Sequence, residues 1–233
     1  MSLAPRVVIA HRTTEYEELV AHHGTHGQAA FFLSSRGRDI EEVAERHRRT
    51  RRALADVTSA IPLTWRQSRV ERADLDRFLF APEDVVVVVG QDGLVANVAK
   101  YLDGQPVVGI DSDPGRNPGV LVRHRPASAG KLLRAAFASG TGADELTMVE
   151  AVADDTQRLL ALNEVYLGAA GHQTARYRLG LDAGDARDAD GGGVVEAQAS
   201  SGVGDGMEGD ALELTWGQTV RVGVCGRRLR LLG

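Results

Sequence analysis

The sequence predicts a mixed α/β fold, with an N-terminal α/β lobe over residues 1–142 and a β-rich lobe over 143–233. Three observations predict it. Five consecutive valines, Val85–Val89, are apolar on both faces, as a central strand of a parallel sheet must be. They run into the turn Gly90-Gln91-Asp92-Gly93, a helical stretch Leu94–Leu102 and a second apolar strand, Pro106–Ile110, which together make a Rossmann-like βαβ unit. After about Asp144 helical periodicity fades, and short segments bounded by turn residues take over.

The elements follow in order. Arg6–His11 reads as a short buried strand. Thr14 stands three residues before Glu17, the spacing of a capping box that starts a helix. Gly24 and Gly27 interrupt it, and Gln28–Leu33 resumes a helical pattern until Gly37. Ile40, Val43, Ala44, His47, Leu54 and Val57 recur at the spacing of one long helix. Its other face carries Arg48, Arg49, Arg51 and Arg52; with Glu41, Glu42 and Glu45 nearby, this reads as a solvated mixed-charge face. Leu63-Thr64-Trp65 is expected to begin another strand, and Asp74 to cap a short helix. In the second lobe, strands are expected at 145–152, 162–168, 173–181, 194–199, 211–215 and 219–224. The Asp- and Gly-rich stretch Asp182–Gly193 lacks the acidic spacing of a calcium loop and reads as a mobile hairpin connection.

Composition narrows the function classes. The chain has 233 residues, 43% of them hydrophobic and 25% charged, enough for a sizeable core. Its net charge of −5 supplies no basic field for nucleic acid. No apolar stretch is long enough to span a bilayer, and Met1-Ser2-Leu3-Ala4-Pro5 does not read as a signal peptide, so the chain is expected to be cytoplasmic. The single cysteine, Cys225, lies in an alternating run and reads as a buried strand thiol. His22, His23 and His26 read as surface histidines, and Trp65 and Trp216 as core.

The turn after the valines carries the chemistry. A strand that ends in glycine and opens a helix lets a ligand approach the backbone closely. The free N–H groups of the helix N-terminus favour phosphate. Asp92 is the odd member, because a carboxylate repels phosphate. It suits a group that helps place a metal–phosphate assembly, or one that takes a proton from an attacking hydroxyl. Gly-x-Asp-Gly therefore fits phosphoryl transfer better than plain dinucleotide binding, and it matches neither Gly-x-x-x-x-Gly-Lys-Ser/Thr nor Gly-x-Gly-x-x-Gly. The rival reading is that Asp92 caps the helix and Gly93 serves a tight turn.

Three segments, in order and at matching separations, resemble the NAD kinase family. Gly90-Gln91-Asp92-Gly93-Leu94 is similar to its Gly-Gly-Asp-Gly-Thr signature, and Ala161-Leu162-Asn163-Glu164-Val165 to its second signature, an Asn-Glu pair at a strand start. Pro106–Pro114 resembles the loop after the next strand in the mitochondrial-type branch. The resemblance implies an NAD kinase-like fold and ATP-dependent phosphorylation of the 2′-hydroxyl on the adenosine ribose of NAD. It implies that Asp92 is the catalytic proton acceptor or helps place the metal–phosphate assembly. Gly90, Asp92 and Gly93 would lie at the nucleotide, and Asn163 and Glu164 would contact NAD. It further implies magnesium (Mg2+) brought with ATP, small-molecule partners, and a homodimer or larger homo-oligomer; no residue is singled out as a metal ligand.

The sequence departs from the family at Gln91, where a glycine is expected, at Leu94, where a threonine is expected, and after Val203, where a Thr- and Gly-rich segment of the β lobe is missing. These departures keep a second reading open, a catalytically degenerate NAD- or nucleotide-binding module. A lipid or sphingoid-base kinase, which shares the Gly-Gly-Asp-Gly-type turn, is disfavoured by Asn163-Glu164 and by the lack of a membrane-facing stretch.

Overall fold

A computed structural model describes residues 5–116, 119–139, 142–168, 176–181, 193–198, 200–207, 210–215 and 217–233. Met1–Val95, Pro106–Ala143 and Leu231–Gly233 form one compact unit; Ala96–Gln105 and Asp144–Arg230 form another.

The first unit is built on a parallel sheet of order β2-β1-β3-β4, comprising β1 (Arg6–His11), β2 (Arg66–Glu71), β3 (Val85–Gly90) and β4 (Pro106–Asp111). β3 lies between β1 and β4, so its backbone is paired on both edges, and each of Val85–Val89 is at most 2% exposed. Val7, Ile9, Val85, Val87 and Val89 share one face of the sheet. They pack on Ala53, Leu54 and Val57 of α3 (Ile40–Ala60) and on Leu133 and Ala136 of α5 (Ala129–Ser139). Burying a valine side chain fully contributes roughly 1.5–3 kcal/mol, so this layer is the main source of stability for the strand that ends at Gly90.

Local chemistry sets the helix starts. α1 (Glu15–His23) carries the predicted capping box: the Glu17 amide donates to the Thr14 hydroxyl, and the Thr14 amide donates to the Glu17 carboxylate. Thr25 caps α2 (His26–Ser34), and Asp39 caps α3. α4 spans Asp92–Ala99, starting earlier and ending sooner than the expected Leu94–Leu102. Tyr101 and Leu102 instead continue in tighter turns, their amides donating three residues back to Val98 and Ala99.

Two expectations are corrected here. Leu63-Thr64-Trp65 is a turn closed by the Trp65 amide on the Pro62 carbonyl, with Leu63 fully exposed, and the strand begins only at Arg66. The short helix Arg72–Arg77 is capped by Glu71, whose carboxylate accepts the Ala73 amide, while Asp74 lies inside its first turn. Trp65 is partly buried against the core, as expected of it; Trp216 lies outside the described residues. α5 has no counterpart in the sequence reading.

The second unit is rich in β-structure, as predicted. Its strands are β5 (Ala143–Ala153), β6 (Arg158–Ala161), β7 (Val165–Gly168), β8 (Arg176–Leu181), β9 (Gly193–Gln198), β10 (Ser200–Gly204), β11 (Ala211–Leu214) and β12 (Thr219–Leu232). β5 pairs antiparallel with β6, β12 with β9, and β9 with β8. A separate antiparallel sheet has the order β11-β10-β7 and buries Leu212 and Leu214 beside Ala151, Leu159 and Val220. The strand expected at 162–168 is broken: residues 162–164 form a bend between β6 and β7. β10, which ends just after Val203, pairs antiparallel with β11, with Val203 opposite Ala211. Cys225 is fully buried in β12. Residues 182–192, most of the expected mobile connection, lie outside the described residues. Among the described residues no helix is long and apolar enough to cross a membrane.

His11 closes β1 at the carboxyl edge of the sheet. Burial pushes its imidazole below the ordinary value near 6.5; Glu71 opposes this, and Arg51 and Arg69 reinforce it. The unfolded chain therefore takes up this proton more readily than the folded one. The His11 contribution to stability is complete above the ordinary value and is lost as pH falls through the lower folded value. Thermal denaturation between about pH 7 and about pH 5 should show Tm falling with acidity, with a shallower fall in His11→Gln. An identical slope in the two proteins contradicts this assignment.

Candidate functional site

β3 ends at Gly90, and α4 begins two residues later at Asp92. Gly90 stands opposite Asp111, the last residue of β4, so the turn sits at the carboxyl edge of the parallel sheet. Open α/β sheets place their ligands at that edge.

The Asp92 carboxylate reaches the segment that follows β4. Its Oδ2 accepts the Val120 amide at 2.8 Å; its Oδ1 accepts the amides of Leu121 at 2.8 Å and Val122 at 2.9 Å. One side chain thus fixes three consecutive amides. Two glycines admit this approach. A Cβ at Gly109 would lie 2.0 Å from the Leu121 carbonyl oxygen, and one at Gly119 would lie 2.4 Å from Val122 and 3.0 Å from Asp92 Oδ1. The attachment continues as the His124 amide donates to Gly109 and the Asp111 amide to His124.

A cleft of about 220 Å³ lies beside this clamp. Gln91, Asp92 and Gly93 line it from the turn, Asp111 and Asp113 from the end of β4, and Arg116, Gly119 and Val122 from beyond. Whole organic ligands occupy about 300–1,000 Å³, so this space suits a phosphate group or a ribose and not an entire dinucleotide. The two glycines of the turn differ. Leu94, itself buried, brings Cδ2 to 3.0 Å from a Cβ placed at Gly90. Nothing lies within 4 Å of a Cβ placed at Gly93, so protein packing does not require glycine there.

The cleft is acidic but contains cations. Asp113 accepts Arg49 at 2.7 Å from α3, and Arg49 also donates to Glu45 at 3.3 Å. Asp113 first, and Glu45 after it, push the Arg49 guanidinium above its ordinary value. The rest of the arginine-rich face is mixed-charge, as expected: Arg48 pairs with Glu45, Arg46 with Glu15, and Arg51 with Glu17. Arg116 is exposed, and among the described residues its side chain has no hydrogen bond or ion pair. Its guanidinium is available to an anion in the cleft.

Asn163 and Glu164 belong to the second unit, in the bend between β6 and β7. Both are exposed, and among the described residues neither side chain has a polar partner. Their amides donate to the carboxylate of Asp205, a residue the sequence reading passed over. Arg49 and Arg116 were also missed as site residues. Arg49 is one of four similar arginines in the sequence, and only the tertiary structure shows which of them meets Asp113. Arg116 stands in a Pro- and Gly-rich loop that sequence reading treats as a turn.

Among the described residues no group of three or more His, Cys, Asp or Glu is placed to hold a metal ion. A nucleotide-bound magnesium needs only phosphate oxygens, water and one or two carboxylates, and Asp111 at the cleft fits that smaller requirement.

Among solved structures, the chain is similar to yeast NADH kinase complexed with NADH, with a TM-score of 0.54 and 11% sequence identity over 100% of this chain and 84% of that one. At that identity the likeness establishes the fold, an NAD kinase-like α/β arrangement. No protein-family model and no curated protein matches the chain.

The clamp makes a measurable demand on stability. In Asp92→Ala three amides lose their acceptor, at a cost of about 1–3 kcal/mol. Hydrogen exchange at residues 120–122 should accelerate more than at the sheet amides of β3. Unchanged exchange there would show that Asp92 does not hold the segment in solution.

Proposed function

We propose that the chain is an NAD kinase-type phosphotransferase, moving the γ-phosphoryl group of ATP to the 2′-hydroxyl of the adenosine ribose of NAD to give NADP. The observation that carries this reading is Asp92, a carboxylate at the carboxyl edge of the sheet in an NAD kinase-like fold, beside a small cleft lined also by Arg116, which has no ion-pair partner among the described residues. A carboxylate offers about four acceptor positions, and backbone amides take three of those of Asp92. The remaining position is on Oδ2, which among the described residues accepts only the Val120 amide. That oxygen would take the proton of the ribose hydroxyl as the 2′-oxygen forms its bond to phosphorus and ADP leaves. A ribose hydroxyl is a weak nucleophile at neutral pH, so a fixed acceptor matters, while most of the acceleration comes from alignment and charge neutralisation.

The supporting roles follow from chemistry. Gly93 leaves room for a nucleotide beside the backbone, and Gly90 ends the strand beneath it. Arg116 would meet phosphate oxygens. Magnesium arriving with ATP would neutralise phosphate charge, with Asp111 as its protein contact. In the second unit, Asn163 and Glu164 are the proposed NAD contacts. The neighbour's complex with NADH makes the reduced nucleotide the natural competing acceptor. We place the protein in the cytoplasm, where both nucleotides are present, as a homodimer or larger homo-oligomer.

One observation favours the second reading, a nucleotide-binding module without catalysis. Three of the acceptor positions of Asp92 serve the fold, and Leu94 fills the space over Gly90.

Purified protein should be incubated with ATP, magnesium and either NAD or NADH, and the phosphorylated dinucleotide quantified. Wild type is expected to form product, and Asp92→Asn to form about 100-fold less or lower still. Asp92→Asn also disturbs the clamp, so Gly93→Ala is the cleaner probe. It should hold or raise Tm, since alanine is favoured over glycine in a helix by up to about 1 kcal/mol, yet raise KM for ATP. NAD binding without product supports the module. Neither binding nor product sinks both readings.

A further inference from the structure

We propose that Asp205 is a positioning residue that holds the backbone of Asn163 and Glu164 fixed for contact with NAD; this rests on the NAD reading above. The geometry lies wholly within the second unit. Asp205 Oδ2 accepts the Leu162 amide at 2.7 Å, and its Oδ1 accepts the Asn163 amide at 2.9 Å and the Glu164 amide at 3.4 Å. The Asp205 amide returns a bond to the Glu164 carbonyl at 3.2 Å. Four hydrogen bonds thus join one residue to three consecutive residues across a long sequence separation.

The clamp is itself anchored. Asp205 adopts φ +47°, a left-handed conformation that aspartate, asparagine and glycine tolerate best. Its carbonyl accepts Nδ2 of the buried Asn97 at 2.7 Å. The Gly204 carbonyl accepts the buried Lys100 ammonium at 3.2 Å, and Lys100 is neutralised by Asp210 at 2.7 Å. A buried ammonium is costly without a counter-charge, so Lys100 and Asp210 tie the turn that carries Asp205 to residues 97–100.

What separates this from ordinary turn chemistry is which groups are satisfied. The amides of Asn163 and Glu164 are solvent-exposed, and water alone would satisfy them in a bend whose only task is to join β6 to β7. The side chains, by contrast, are exposed and lack a polar partner among the described residues. Fixed backbone with free amide and carboxylate ends is the arrangement of a preorganised binding group. The conformational freedom such groups would lose on binding is already removed by the fold.

The test uses the full-length chain and two variants. Asp205→Gly keeps the left-handed backbone and removes the clamp. Asp205→Asn keeps the conformation and one acceptor oxygen but turns a donor toward the remaining amide. NAD affinity by calorimetry, KM for NAD and for ATP, and amide exchange at 162–164 are read together. The expected order is wild type, then Asp205→Asn, then Asp205→Gly, the last about tenfold weaker for NAD, with KM for ATP within about twofold of wild type and faster exchange at 162–164. Unchanged NAD affinity in Asp205→Gly overturns the proposal, as does an equal rise in both KM values, which marks a merely structural role. A wild-type protein that binds no NAD removes the NAD reading itself, and this proposal with it. Faster exchange in Asp205→Gly would still show the clamp in that case, which separates the two failures.

Discussion

The carboxylate of Asp92 and the three amides it accepts organise the first unit at the carboxyl edge of its sheet. A segment of backbone leaving β4 has polar groups that must be satisfied, and a helix N-terminus attracts negative charge. Placing an aspartate at the first position of α4 answers both demands with one side chain. Gly109 and Gly119 are consequences of that contact, because a side chain at either would push the segment away. The cleft is the space this clamp leaves beside Gly93. The two explanations of Asp92 that compete at the level of sequence, helix-terminal structure and catalysis, are therefore not exclusive. The clamp uses most of the carboxylate and leaves one acceptor position on Oδ2.

Charge around the cleft sets what can bind there. Asp92, Asp111 and Asp113 would repel a bare phosphate chain. Arg49 offsets Asp113, Arg116 is exposed and has no ion-pair partner among the described residues, and a magnesium carried by the nucleotide would offset Asp111. A nucleotide arriving with its metal is favoured over a free anion, which agrees with phosphoryl transfer and not with simple phosphate storage.

Much of this was legible in the sequence, for definable reasons. Five valines bounded by glycine fit a central strand and its exit, and Thr14, three residues before Glu17 and ahead of an amphipathic stretch, has the spacing of a helix cap. The β-rich character after residue 144 was legible from its turn spacing. Short-range ambiguity caused the misses. Leu63-Thr64-Trp65 has strand-forming residues but lies in a turn that buries none of Leu63, and Glu71 capped the short helix because its side chain folds back on the next turn before Asp74 is reached. Asp205 was invisible because its partners lie more than forty positions away. Arg49 was hidden among equals. Hydrophobic period reports which face is buried; it does not report which distant backbone a carboxylate will find.

Nucleotide handling at the Asp92 turn is what the proposed function requires. Its most direct test is amide hydrogen exchange of the intact chain with and without magnesium–ATP. Nucleotide is expected to slow exchange at residues 90–93 and 119–122, while the amides of α1 and α2 stay unchanged. Protection elsewhere with none at those two segments would contradict it.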